Sequence, residues 1–345
     1  MNIDIKNSKE TSMHPVIISA SRATDIPAFY ADWFFYRLQQ GYSAWRNPFN
    51  NKLGYISYQD TRFIVFWSKN PEPLLRKLDI LDEMGIGCYI QFTLNDYEND
   101  GLEKNVPAVQ NRIDTFRRLV DRLGLGRVIW RFDPLILTET ISESVLLEKI
   151  KRIGDQLNGY TEKLVFSYAD IACYRKVKRN LSDALIPYQD WDDNRMRYFA
   201  SELVNLNSGW SYVLATCGEK IDLPNIEHNH CVDHDLIIRL AHKDKRLMDY
   251  LGVRKIPLQP DMFGNVIIPE GGIVLDDGTV AVQKKKMPDK GQRAACGCMV
   301  SKDIGQYNTC PHQCEYCYAN ANKDIAMQNW CRHKNNPLGE MIMGK

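Results

Sequence analysis

Six apolar runs, each followed by a segment whose apolar residues recur at helical spacing, commit this chain to a parallel β-sheet covered by helices. The runs are Val16-Ile-Ile-Ser-Ala-Ser21, Phe63-Ile-Val-Phe-Trp67, Cys88-Tyr-Ile-Gln-Phe-Thr93, Arg127-Val-Ile-Trp-Arg-Phe-Asp133, Leu164-Val-Phe-Ser-Tyr168 and Tyr212-Val-Leu-Ala-Thr-Cys217. A strand that is apolar on both sides of the pleat is buried on both faces, which is the habit of parallel sheets. The clearest helix has Val109, Ile113, Phe116, Val120 and Leu123 on one face. Comparable stripes are Leu74, Leu75, Leu78 and Leu81, then Val145, Leu146, Ile150, Ile153 and Leu157. A helix is predicted from about Trp191 to Leu206, and Leu236, Ile237, Leu240 and Leu247 are read as one last helix. Pro27 is placed to open a helix after the first strand. Tyr42 to Trp45 and Tyr55 to Tyr58 alternate around Asn50-Asn51 and predict a hairpin ahead of the second unit.

Polar residues stand at the carboxyl end of every run: Ser19, Ser21 and Arg22; Ser68, Lys69 and Asn70; Thr93; Arg131 and Asp133; Ser167; Thr216, Cys217 and Glu219. A barrel gathers such groups at one mouth, whereas an open doubly wound sheet gathers them at a single switch point. The expected fold is therefore α/β, a partial (β/α)6 TIM-like barrel over residues 13–252. Residues 253–290 read as a small β element and basic linker, with short apolar strings at Val266-Ile-Ile, Ile273-Val-Leu and Thr279-Val-Ala-Val. Residues 291–345 read as a cysteine-rich iron–sulfur module that folds back on the barrel mouth. Residues 1 to 12 are polar and are expected to fray. No glycine-rich nucleotide fingerprint follows the first strand.

The module contains Cys310-Pro-His-Gln-Cys314-Glu-Tyr-Cys317, three soft ligands at spacings of four and three within one short loop. They are enough for three irons of a cubane cluster, which leaves the fourth iron open. A structural zinc site takes four protein ligands, commonly as paired C-x₂-C halves, and this loop has one such half. The C-x₃-C-x₂-C pattern with an aromatic residue before the last cysteine resembles the signature of the radical S-adenosylmethionine (SAM) superfamily. The wider run, with Cys296-Gly-Cys298 and Asp303-Ile-Gly-Gln-Tyr307 ahead of it, looks like the uncharacterised bacterial DUF1848 family. Ser68-Lys-Asn70 and Arg131-Phe-Asp-Pro134 are similar to spore photoproduct lyase-type enzymes.

The resemblance implies that Cys310, Cys314 and Cys317 hold a [4Fe–4S] cluster, that SAM binds its open iron, and that Tyr316 packs beside the adenine. It also implies reductive cleavage of SAM, hydrogen abstraction from an unidentified small-molecule or nucleoside-type substrate, and an electron donor such as flavodoxin or ferredoxin. The order of parts departs from the superfamily. There the cluster loop follows the first strand, whereas here Ser21-Arg-Ala-Thr-Asp25 follows it and the cysteines come after the sixth unit.

The residue types complete the reading. A methionine carboxylate needs cations or amide donors, and ribose hydroxyls and an ammonium need acceptors, so Ser21, Arg22, Lys69, Asn70, Arg131 and Asp133 are candidate cofactor contacts. Barrel-top salt bridges are the plain alternative for the same residues. Cys217, Cys231, Cys296 and Cys298 would bind a second [4Fe–4S] cluster, or a zinc ion, with His228, His230 and His234 as substitute ligands; free thiols are the plain alternative. Cys88, Cys173 and Cys331 read as packing or incidental residues. The competing functional class is a barrel whose tail carries structural zinc or a ferredoxin-like cluster without SAM chemistry.

Lys+Arg 44 against Asp+Glu 43 gives a formal charge of +1, so no global basic field favours nucleic acid, and a nucleic-acid substrate rests on the lyase likeness alone. With no apolar run of spanning length, no membrane role is expected. Ten cysteines in such a chain point to metal in a reducing cytoplasm rather than to disulfides.

Overall fold

The computed structural model describes residues 12–48, 50–258, 268–284, 286–293 and 295–344. The expectations for the fraying N-terminal residues before Ser12 and for the Val266-Ile267 string lie outside the described residues.

β1 (Ser12–Met13) precedes β2 (Ile17–Ala20). Asp25 then caps α1 (Ile26–Phe29), its carboxylate accepting from the Ala28 amide, with proline in the first turn. After α2 (Ala31–Gln40), the predicted hairpin forms from β3 (Tyr42–Arg46) and β4 (Leu53–Ser57), and β1 adds to its edge. The repeating units continue as β5 (Phe63–Ser68), α3 (Leu78–Met84), β6 (Gly87–Thr93), α4 (Val109–Leu123) and β7 (Val128–Leu135). A short β8 (Leu137–Thr138) leads to α5 (Glu143–Leu157), capped by Ser142, and to β9 (Lys163–Tyr168). The irregular stretch that follows is α6 (Arg175–Asp183) and β10 (Tyr188–Gln189), which pairs with β8; α7 (Asp193–Asn207) and β11 (Val213–Thr216) close the sixth unit.

Beyond it lie β12 (Glu227–His228), α8 (His234–Ala241) and α9 (Lys245–Leu251). The single last helix expected from Leu236 to Leu247 is thus two. The Asp244 carboxylate accepts from the Leu247 amide and starts a new helix, and the left-handed Gly252 ends it. A three-stranded antiparallel sheet follows, β13 (Val253–Pro257), β14 (Ile273–Val274) and β15 (Thr279–Gln283). The chain ends with β16 (Lys302–Asp303) and α10 (Lys323–Asn335).

The protein is a mixed α/β structure built on one large parallel sheet of eight strands, in the order β12-β11-β9-β7-β6-β5-β2-β16. Each of the six long strands lies beside its predecessor in sequence, so the sheet is wound in one direction and never reverses. No pairing among the described residues joins the two edge strands. Alternate residues of the strands serve two cores. Ile18, Ile64, Phe66, Ile90, Phe92, Trp130 and Phe166 pack with the residues of α2, α4, α5 and α7. Ile17, Phe63, Val65, Tyr89, Ile129 and Val165 face the other way and are covered by Val232, Ile237, Ile238, Leu247, Met248 and Met299. The second face is therefore covered by the segment after β11, while the carboxyl ends of the strands carry buried polar groups, Ser19, Ser21, Ser68, Arg131 and Thr216 among them.

Close packing sets local requirements as well. Gly154 on α5 has Trp210 against it, and a Cβ there would stand 2.5 Å from the indole ring. Phe66 is fully buried between Phe34 and Phe35, with ring centroids 5.8 and 6.4 Å away. No helix among the described residues is long and apolar enough to cross a membrane.

Candidate functional site

The cysteine loop reaches the carboxyl ends of the sheet through β16. Lys302 and Asp303 pair in parallel with Ile18 and Ser19. The Asp303 carboxylate then accepts from Ser19 Oγ at 3.2 Å, Ser21 Oγ at 2.6 Å, the Arg22 amide at 2.8 Å and the Gly305 amide at 2.9 Å. Four donors on one carboxylate fix the register of the edge strand and the turn after β2 together. Gly305 is needed here because any Cβ would run into Ser21 Oγ. Lys302 lies with Nζ 3.1 Å from the centroid of the Trp45 ring, and burial lowers its ammonium to about 8.

From this anchor the loop folds across α1. The Asp25 carboxylate caps that helix, accepts from Ser68 Oγ and the Lys69 amide at 2.7 Å each, and meets His312 Nε2 at 2.8 Å. His312 Nδ1 lies 3.0 Å from the Asn105 carbonyl, and the ring packs edge-on to Phe29 at 4.7 Å. Burial alone would raise the Asp25 carboxyl; the hydrogen bonds and charge of His312, with Ser68 and Lys69, hold it below its ordinary value. Tyr30 donates to the Thr309 carbonyl at 2.5 Å, and Asn320 Nδ2 donates to the Cys310 carbonyl at 2.8 Å. The loop is thus tied at both ends and at its middle. Cys314 is buried and Cys310 and Cys317 are half-buried. The three sulfurs lie close enough to act on one another electrostatically, and burial raises the Cys310 thiol to about 12 and the Cys314 thiol further.

Next to Cys314 is a buried charge network. Lys69 Nζ donates to Glu103 Oε1 and to Tyr316 Oη, at 2.7 Å each. Tyr316 also donates to Glu103, Asn95 Nδ2 donates to Glu103 at 3.2 Å and to Tyr316 Oη at 3.1 Å, and Arg112 lies 3.8 Å from the same carboxylate. Burial would raise the Glu103 carboxyl, yet Lys69 and Arg112 hold it at about 2. Lys69 and Tyr316, both expected as cofactor contacts, meet here. Asn70 lies beside them, its amide on Ser68 Oγ at 2.9 Å.

The remaining candidates meet across the sheet ends. Arg131 is buried; it donates to Asp133, to Gln91 Oε1 at 3.2 Å and to Cys231 Sγ at 3.2 Å, and Ser167 donates to Asp133. The salt-bridge reading of Arg131 with Asp133 describes this contact directly. Trp67 lies between two guanidinium groups, with Arg22 5.1 Å and Arg131 5.3 Å from its ring. Trp67 Nε1 and Arg22 Nη2 are buried atoms without a hydrogen-bond partner. Tyr318 of the cysteine loop donates to the Arg22 carbonyl at 2.9 Å, which connects this pair to the loop.

Cys217, Cys231, Cys296 and Cys298 also come together. Cys217 Sγ is 3.2 Å from Cys231 Sγ, and Cys298 Sγ accepts from the Cys231 amide, with Cys296 near enough to Cys298 and Cys231 to act on both electrostatically. His230 rests against Gly297, while His228 turns away to Asp222 at 2.7 Å. His230, Asp233 and His234 bring ligand atoms within 4.8 Å of one another. Glu219 accepts from the Tyr168 amide, and burial raises its carboxyl. Cys88 is buried within β6, and Cys173 and Cys331 are exposed.

Trp67, Asn95 and Glu103 are prominent here and were not singled out from sequence, and Asp303 entered only as part of the run Asp303-Ile-Gly-Gln-Tyr307. Trp67 was legible in principle: it lies two residues from Val65 on the inward face of a strand and ends at the polar level. Glu103 sits in a loop with no motif around it. Its role depends wholly on where Lys69 and Tyr316 arrive.

The family model described as domain of unknown function (DUF1848) matches residues 17–319. No curated protein and no solved structure matches the chain.

Proposed function

We propose that this chain, which belongs to the DUF1848 family, is a radical SAM enzyme whose singly wound sheet is the core of a partial (β/α)6 barrel. The observation that carries this reading is the position of the cysteine loop. β16, the loop and α10 make up a strand–loop–helix unit, and β16 lies outside β2 at the head of the strand order. The cysteines therefore follow the first strand in space although they come last in sequence. On this reading the loop would take the part of the superfamily's cluster loop, reached by a permuted chain.

The donor set fits the group. The three thiols share one tied loop, with Cys314 beside Lys69, and the raised proton affinities of Cys310 and Cys314 are what buried thiols show without a cation. Cys310, Cys314 and Cys317 would hold a [4Fe–4S] cluster. Bound there, it supplies the electron that cleaves the sulfonium bond of SAM and generates a 5′-deoxyadenosyl radical. The chain's own groups have other tasks. Lys69, Asn95 and Glu103 fix Tyr316 and so the floor beside Cys314. The free donors on Trp67 and Arg22 offer hydrogen bonds to a carboxylate or another anionic oxygen, and Asp133, oriented by Arg131 and Ser167, offers an acceptor. The sheet ends hold the substrate, a small molecule or a nucleoside, away from water, and a flavodoxin- or ferredoxin-type protein supplies electrons.

The test is anaerobic reconstitution with iron and sulfide, followed by electron paramagnetic resonance of the reduced protein with and without SAM. A signal that shifts on adding SAM, with 5′-deoxyadenosine formed, supports the reading. A cluster indifferent to SAM overturns it and leaves a metal-stapled α/β protein.

A further inference from the structure

The second group of cysteines has a geometry of its own. It draws on three places: the end of β11 (Cys217), the loop before α8 (Cys231) and the Cys296-Gly-Cys298 turn. Cys217 Sγ touches Cys231 Sγ at 3.2 Å, Cys298 Sγ sits on the Cys231 amide, and Cys296 interacts electrostatically with Cys298 and Cys231. Sulfur is a weak hydrogen-bond acceptor, yet these sulfurs accept several N–H groups. Cys298 Sγ accepts from the amides of Cys231 at 3.1 Å and Val232 at 3.4 Å. Cys231 Sγ accepts from Asn229 Nδ2 at 3.3 Å and Arg131 Nη1 at 3.2 Å. Donors aimed at sulfur from backbone, amide and guanidinium are what metal-bound thiolates require around them.

We propose that Cys217, Cys231, Cys296 and Cys298 bind one zinc-type divalent ion as a closed tetrathiolate site, separate from the Cys310, Cys314 and Cys317 loop. The spacing separates this from a second cluster. Zinc–sulfur bonds of about 2.3 Å at tetrahedral angles put neighbouring sulfurs ~3.8 Å apart. Cys217 and Cys231 are already within that reach, and the ion would part them slightly and draw Cys298 and Cys296 in towards them. A cubane spreads its four cysteines around an entire cluster, farther apart than the 3.2 Å that separates Cys217 Sγ from Cys231 Sγ. Charge points the same way. Four thiolates around a divalent ion carry two net negative charges, and Arg131 and Arg22 lie against them. Each thiol loses its proton to solvent as the ion binds.

The ion has a structural consequence. Cys231 and Cys298 belong to the covering that fills the second face of the sheet, and Cys217 ends β11. One ion therefore fastens that covering to the sheet beside Arg131, without taking part in SAM chemistry.

The test is metal analysis of the full chain purified without added metal, alongside the triple variant Cys310→Ser, Cys314→Ser, Cys317→Ser. One zinc per chain in both is expected, with loss of that zinc in Cys298→Ser. Cobalt exchanged into the unmutated chain should give the intense sulfur-to-cobalt charge-transfer band of a tetrathiolate site, a readout that needs no variant to fold. Absence of zinc, its loss in the triple variant, an iron–sulfur signal abolished by Cys296→Ser, or a Cys217–Cys231 disulfide in the purified chain would each overturn the assignment. Zinc retained by a protein inert towards SAM would overturn only the radical enzyme, so the two readings fail independently.

Discussion

Replacing Glu103 by glutamine tests the buried charge network on which the Tyr316 wall depends. The carboxylate is 2 % exposed, ion-paired with Lys69 at 2.7 Å and within 3.8 Å of Arg112, and it accepts from Tyr316 and Asn95. Its carboxyl titrates at about 2 instead of the ordinary 4.5. At roughly 1.4 kcal/mol per pH unit, that depression corresponds to about 3 kcal/mol of folding stability. Removing one partner of a buried ion pair independently costs about 3–5 kcal/mol, because the stranded cations keep their desolvation penalty. For a chain of this size the entropy of unfolding is on the order of 0.7 kcal/mol/K, so Glu103→Gln should lower Tm by about 4 °C. Because the folded value is depressed, the stabilisation is complete above 4.5 and is lost as the pH falls from 4.5 towards 2. The difference between parent and variant in urea midpoints should therefore be largest near neutral pH and vanish at the acid end of that window. A further Lys69→Met change in the variant should recover part of the loss. A Tm within 1 °C of the parent, or a stability difference that does not change with pH, would refute the network as the source of the stability.

Two further variants test the frame. Asp303→Ala removes an acceptor of four hydrogen bonds and should cost about 2–4 kcal/mol; amide exchange at residues 302–304 should speed up at least tenfold while β7 stays protected, and uniform protection in the variant would sink the anchoring role. Gly154→Ala drives a methyl group to 2.5 Å from the Trp210 indole, which donates to Asp155 Oδ1 at 2.9 Å and stacks on Tyr212. A loss of about 1–3 kcal/mol with altered tryptophan emission is expected in urea titrations, and an unchanged midpoint would show that the ring has room to yield.

The sheet was readable because its strands are continuously apolar and each is followed by a helix, a pattern few other architectures satisfy. The hairpin and the element after α9 announced themselves by alternation and turn residues. β16 gave no such signal. Lys302 and Asp303 form two residues of strand whose pairing exists only because Ile18 and Ser19 lie beside them. The same limit governs the site. Cysteines at short spacing mark themselves, so Cys310, Cys314 and Cys317 stood out, and Lys69 and Arg131 stood out by their positions at strand ends. Asp25, which caps α1, holds His312 as well, a contact across 287 residues that only the folded chain can declare. Glu103 is as distant from Tyr316 in sequence as it is close in space. Long-range polar networks are written in geometry, whereas periodicity and ligand spacing are written in order.

The permuted order of the sheet bears on how the molecule is made. A ribosome delivers β2 through β11 long before β16, so the nascent sheet waits with the outer edge of β2 bare, its backbone groups free to pair with another chain. The thiols of the last loop emerge only when that edge is about to be sealed. Products released early would carry a stack of strands and helices that lacks both β16 and the Cys310 loop tied to it.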